Sequence, residues 1–304
     1  MPSDLPKTMR AAVQDKAGPP QVMQLRSVPV PQLTKGHVIV ALDYASVGIW
    51  DAKKRSGEWG AVKPGTIPGA DGSGTVAAVA SDVTRVRVGE RVYSYSYGNP
   101  HGGFYAEYIS LKADLVERVP DQLTQQIAGA MPCVAVTAHS GLGALKIKRG
   151  QTLLVFGATG GVGSFAVWLA AHENEATVIG TARAETSEYL RALGGTPLDD
   201  SSNGFEAILA TVNGNDLPAL VSRAKAQAPI AYPNGVEPEP KFDGHPSLAF
   251  DGEMSHDALE RLNRAIGIRT IPLHIEEFTL DQVVDAHRRI EQGHVEGKIV
   301  LRIR

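Results

Sequence analysis

The sequence predicts an α/β chain in which a small β-barrel domain is joined to an open, doubly wound parallel sheet. Three observations predict it. Residues 1–128 read as short strands between Gly and Pro turns, the pattern of a small barrel. Residues 129–266 alternate strands with helices, which argues for parallel strands covered on both faces. Within that stretch, Gln151–Arg183 runs strand, glycine-rich turn, helix, strand. The tail, 267–304, is expected to return to the first domain and complete it.

Met9–Val13 and Gln21–Ser27 form a predicted hairpin around Lys16–Pro20, and His37–Leu42 is a strongly β-prone run. After Asp43–Asp51 comes a short predicted helix, Ala52–Gly57, closed by its glycine. Ile67–Gly74 is a glycine-dense bend leading into the strand Thr75–Ala80. Val92–Tyr97 and Phe104–Leu111 are further strands, separated by the loop Gly98–Gly103. From Thr124 the pattern turns helical, over Gln126–Met131 and Val134–Leu145. Leu153–Phe156 is a buried strand, and Phe165–Ala171 a helix apolar on nearly every face. Thr177–Gly180, Ala207–Thr211, Ile230–Tyr232 and Ser247–Phe250 are the next strands, with helices Ser187–Leu193, Leu217–Ala226 and a capped Ser255–Ala265 among them. Val236–His245 is a proline- and charge-rich loop. The tail reads strand Thr270–Leu273, helix Leu280–Gln292, strand Lys298–Ile303.

The glycine-rich turn is where chemistry is expected. Its spacing is Gly157-x-x-Gly160-x-x-Gly163, one residue longer in the first interval than the usual dinucleotide fingerprint. Gly157 lets the chain leave the strand tightly. Gly160 and Gly161 admit a pyrophosphate to the backbone, and Gly163 lets the helix sit close to the strand. The free N–H groups of that helix face the phosphates. Ala158, Thr159 and Val162 complete the turn. The next strand ends Gly180-Thr181-Ala182-Arg183, with no acid at its tip. Arg183 and Thr181 are therefore assigned to the 2′-phosphate, and NADPH is the expected cofactor. Glu185 is the competing reading, an NAD-selecting acid slightly displaced. Asn213, Gly214 and the run Tyr232, Pro233, Asn234 end the following strands, where ligands of open α/β sheets bind.

Composition narrows the class. The chain has 304 residues, 43% hydrophobic, and a net charge of −3, so neither nucleic acid nor an anionic membrane is an implied partner. No apolar run approaches the roughly 18 residues of a membrane helix, and the first residues lack a signal-peptide core, so a cytoplasmic location is expected. Cys133 is the single cysteine, which excludes an intrachain disulfide and a cysteine-cluster zinc site.

Several segments together resemble the medium-chain dehydrogenase/reductase superfamily, in its zinc-free quinone oxidoreductase branch. They are Ala45-Ser46-Val47 with Asp51, Pro68–Gly74, Val88–Val92, Gly102–Tyr108, Thr137-Ala138, Gly157–Gly163, and Ala286-His287 with Gly297–Leu301. The resemblance implies a GroES-like barrel, a Rossmann domain, an active site between them and a homodimer. Zinc-dependent relatives hold a catalytic metal with two cysteines and a histidine. Those positions correspond here to Gly48, Ala70 and Cys133, and one thiolate does not hold zinc alone. Cys133 is read as a small buried hydrophobe. No metal site is expected.

Without a Lewis acid, alcohol oxidation is hard to support, whereas quinones and α,β-unsaturated carbonyls accept hydride directly. The proton then comes from a tyrosine or from water. Thr137 matches the family threonine beside the nicotinamide, and Asp51 a recurrent aspartate at the edge of the site. Tyr44, Tyr95, Tyr97 and His101 are candidates to donate a proton or stack on a quinone. His287 and Lys298 fit the tail motif in a structural role. Two departures stand out. Gly48 replaces the branch's asparagine near the substrate, and Trp50 is expected to wall the pocket instead. The stretch between Pro233 and Phe250 is also short. The first functional reading is an NADPH-dependent quinone or enone reductase acting on a small molecule. The second is an enoyl-thioester reductase, for which Lys53, Lys54 and Arg55 offer a basic rim unless they form a solvated helix face. The third is an NADPH-binding protein without turnover.

Overall fold

The structure, a computed structural model, describes residues 5–304 and divides into two compact units. One takes the chain up to Cys133, Met254–Glu260 and Ile275–Arg304; the other takes Val134–Glu253 and Arg261–His274.

The first unit is built on one long strand, His37–Val47. Its eleven residues give it room for three partners. Tyr108–Lys112 runs antiparallel along residues 37–41, Lys298–Arg302 along 44–47, and Asp71–Val79 along the other edge. Irregularities in register at Ile39/Val40 and Leu42/Tyr44 bend the strand, as bulges do. Arg91–Tyr95 and Val116–Arg118 extend the sheet one way and Ile275–Thr279 the other. The alternate residues Val38, Val40 and Leu42 face the core with Val76, Val92, Phe104, Ile299 and Leu301. A hairpin of Thr8–Val13 and Gln24–Pro29 stands beside this sheet.

Three expectations that bear on this sheet are corrected. Residues 270–273 are not a strand. Pro272 lacks the N–H a ladder needs, and the tail pairs instead through Ile275–Thr279, parallel to Lys298–Arg302. Phe104–Leu111 is a strand only from Tyr108 onward. Phe104 and Tyr105 donate their N–H groups to Gly69 and Pro68, so the segment is held by the glycine-dense bend. Residues 254–260 belong here rather than with the parallel sheet: Tyr97 N donates to Met254 Sδ at 3.1 Å, and Tyr93 Oη to Leu259 O at 3.3 Å.

The second unit is a six-stranded, all-parallel sheet. Its order is Thr196–Pro197, Thr177–Gly180, Thr152–Phe156, Ala207–Ala210, Ile230–Pro233, Ser247–Phe250. Numbered along the chain that is 3-2-1-4-5-6, the order of dinucleotide-binding folds, with the crevice at the junction of strands 1 and 4. The helix Gly161–His172 crosses from the first strand to the second and is buried over most of its surface, as its apolar sequence requires. No helix among the described residues is long and apolar enough to cross a membrane.

Candidate functional site

The glycine turn leaves Thr152–Phe156 at the switch point. Gly157 has φ of 84°, a conformation glycine adopts without strain. Gly163 lies so close to it that a Cβ there would stand 2.0 Å from Gly157 O. At Gly160, the N-cap of Gly161–His172, a Cβ would meet nothing nearer than Gly157 O at 3.6 Å. The turn is thus packed beneath and open above, and a pyrophosphate fits against the first N–H groups of the helix. Ala158 is buried under the turn, while Thr159, Gly161 and Val162 are half-buried at its rim. Ser164 Oγ donates to Gly160 O at 2.7 Å and accepts from Tyr189 Oη at 3.0 Å, which fixes the helix start from below.

The strand-end residues are placed less simply than the sequence suggested. Thr181 Oγ1 accepts the Gly157 N–H at 2.8 Å, so this oxygen braces the phosphate turn. Arg183 and Glu185, the two rival selectors, are both exposed and pair with each other at 3.3 Å. Asn213 donates to Pro238 O and accepts the Gly214 N–H at 2.7 Å, which ties its amide into the loop. Tyr232 is a correction: its side chain is buried in the apolar cluster with Leu154, Ile208 and Ile230, so only its backbone is at the strand end. Pro233 ends the same strand, and Asn234 Nδ2 donates to Asp251 at 2.7 Å. Thr137 is buried in the helix Pro132–Leu145, and Gly252 packs against it.

In the barrel unit, Asp51 sits in the first turn of the helix Ile49–Ser56. Its Oδ2 accepts the Gly48 N–H at 2.9 Å, half of a capping box, since Gly48 has no side chain to return the bond. The carboxyl is buried. Desolvation, then the charge of Asp71, push it up to about 7. Asp71 is buried as well and accepts the Cys133 N–H at 2.9 Å; desolvation lifts it to about 6 against the pull of Lys298. Lys298 is 3% exposed. Its Nζ donates to Val47 O at 3.2 Å and stands 4.8 Å from the centroid of the Trp50 ring. Burial lowers its pKa. Tyr105, absent from the sequence candidates, hydrogen-bonds Asp51 and lies 3.2 Å from His287 Nε2. His287 Nδ1 is 3.2 Å from Arg55, which also donates to Gly18 O and pairs with Glu291. Arg55 is 2% exposed, so it is no part of a solvated basic face. Only Lys53 and Lys54 remain near the surface, Lys53 paired with Glu58 and Lys54 lying 4.2 Å above the Tyr97 ring.

Tyr95 hydrogen-bonds the Cys133 thiol, whose proton burial holds firmly. Tyr44 is a correction: its neighbours are Glu277, Arg302 and Asp43, not the Asp51 cluster. His101 is exposed and packs edge-on against His37. The Trp50 ring occupies the space over Gly48, where a Cβ would come within 2.2 Å of it. A cavity of about 500 Å³ within this unit is lined by Asp51, Lys54, Tyr97, Ile67 and Asn99 among others. Gln14 Oε1, buried and without a partner among the described residues, belongs to its wall.

Comparison with known proteins matches residues 34–121 to the alcohol dehydrogenase GroES-like domain and 194–301 to the zinc-binding dehydrogenase model. An NADPH-dependent alkenal/one oxidoreductase of Arabidopsis thaliana is 27% identical over 98% of this chain and 81% of its own. A 2-methylene-furan-3-one reductase of Solanum lycopersicum is 28% identical over 98% and 80%. The quinone oxidoreductase structure from Coxiella burnetii superimposes with a TM-score of 0.85 at 26% identity, over 98% of this chain and 100% of that one. The chain belongs to the medium-chain dehydrogenase/reductase superfamily. Gly48 and Ala70 offer no ligand atom, and the Cys133 thiol is protonated and bonded to Tyr95. Among the described residues, the one set of three metal-capable side chains is His256, Asp257 and Glu260, around a different helix. The residues about Cys133 do not fit a catalytic zinc.

Proposed function

We propose that this chain is an NADPH-dependent reductase of quinones and α,β-unsaturated carbonyls that works without a metal. The observation that carries the reading is the donor set at Gly48, Ala70 and Cys133, which leaves nothing to polarise an alcohol, in a fold that keeps its phosphate turn. Bound NADPH would supply the hydride. The turn around Gly157, Gly160 and Gly163 would hold its pyrophosphate, and Arg183 its 2′-phosphate once released from Glu185. The named activities of the Arabidopsis, tomato and Coxiella relatives support this substrate class. The test is steady-state oxidation of NADPH and of NADH with a panel of enones, quinones and enoyl thioesters. Turnover of enones or quinones with a preference for NADPH is expected. NADPH binding without turnover of any acceptor overturns the reading.

A further inference from the structure

We propose that Asp51 is the acid that protonates the acceptor, with Tyr105 as its positioning residue; this rests on the reductase reading above. Asp51 is the only acid among the residues lining the cavity of the barrel unit, and its carboxyl is otherwise buried.

Arg55 can only donate, so His287 Nδ1 must accept from it. The proton of neutral His287 is then on Nε2, and it donates to Tyr105 Oη. The hydroxyl hydrogen of Tyr105 is left for Asp51. A buried cation at one end of the chain thus fixes the donor at the other. With the Gly48 N–H it gives two donors to an Asp51 carboxylate, which is what an acid needs after releasing its proton.

Two buried carboxyls, Asp51 and Asp71, share the neighbourhood of one buried ammonium, Lys298. Arg55 is already neutralised by Glu291. Tyr97, Tyr105 and Cys133 also face the pair, and all three hold their protons. One ammonium balances one carboxylate, so the second carboxyl keeps a proton at neutral pH. Asp51, the one of the two that lines the cavity, is placed to exchange that proton with water and acceptor.

The step balances. Once hydride has added to the conjugated carbon of an enone, the C=C electron pair moves toward the carbonyl oxygen. The Asp51 O–H bond breaks, and its proton bonds to that oxygen or to the α-carbon. Asp51 regains a proton from water in the cavity.

The test is Asp51→Asn, which keeps an acceptor for Gly48 N–H but no acidic proton. Turnover of an enone is expected to fall about 10²- to 10⁴-fold with NADPH affinity unchanged. The unmodified enzyme should lose enone turnover as pH rises above about 7, and Tyr105→Phe should move that limb upward by removing a donor to the carboxylate. Independently of activity, infrared spectra should show a protonated-carboxyl band that disappears on titration above about pH 7 and is missing from Asp51→Asn. Equal turnover by Asp51→Asn, or a flat profile, overturns the assignment alone. An unmodified enzyme inactive on every acceptor overturns the reductase reading and this assignment with it.

Discussion

Gly48 and Trp50 show how one substitution dictates another. The indole lies where any side chain at position 48 would begin, 2.2 Å from a Cβ. Restoring the family's amide by Gly48→Asn should therefore overpack the site and cost about 1–3 kcal/mol. Trp50→Ala in the same chain should recover most of that loss, since the two residues contend for one volume. Thermal unfolding of the two single variants and the double variant measures it; additive losses would mean the ring is not the obstacle. At this scale the sequence was partly legible. Gly48 was visible as a departure and Trp50 as a wall of the pocket, but that they occupy the same space lies in the path of the helix start, not in a motif. Thr181 and Asn213 were found at the right strand ends, yet their polar atoms brace the surrounding backbone, a choice set by tertiary geometry.

The helix Ile49–Ser56 and the helix Val283–Glu291 are joined by Arg55, His287 and Glu291. Sequence reading placed Arg55 on a solvated face or a basic rim because Lys53-Lys54-Arg55 looks like one charged run. Only one of the three points inward, and helical phase without tertiary contacts does not say which. Burial, then the charge of Arg55, lower His287 from 6.5 to about 3. The sign follows directly. Between those values the unfolded chain binds a proton that the native chain does not, so this residue's contribution is whole above pH 6.5 and drains away as pH falls toward 3. Asp51 acts oppositely: its raised pKa favours the native state at low pH, and that advantage is lost as pH rises through about 7. The two slopes oppose each other over much of the acid range. His287→Leu should be destabilised at neutral pH, with Arg55 left short of an acceptor. Its deficit should shrink on acidification below about pH 6.5, by on the order of 1 kcal/mol per pH unit. Urea unfolding at several pH values checks this; a deficit independent of pH would mean His287 titrates normally in the native protein.

Across the whole molecule, the parallel-sheet unit carries the nucleotide turn and the barrel unit carries the buried acids and the cavity. The fold class was readable, because alternating strands and helices with right-handed crossovers demand a parallel sheet covered on both faces; the strand order was not. Nor were the edges: the tail strand and residues 254–260 are fixed by partners distant in sequence. Nucleotide binding should stabilise the native state by mass action, about 2.7 kcal/mol at a hundredfold excess over Kd. Gly163→Ala puts a methyl group against Gly157 O and should abolish that gain. Melting curves with and without NADPH report it. An undiminished shift in the variant would mean the turn does not hold the nucleotide.

The single sulfhydryl, Cys133, has a further consequence. Quinones and enones arylate or alkylate exposed thiolates, so an enzyme that handles them risks inactivation by its own substrates. Here the chain's one such target is buried at the start of the helix Pro132–Leu145, kept protonated by desolvation and by the Asp71 charge. The burial that leaves this residue unsuited to a metal also spares the catalyst from attack by the electrophiles it is built to quench.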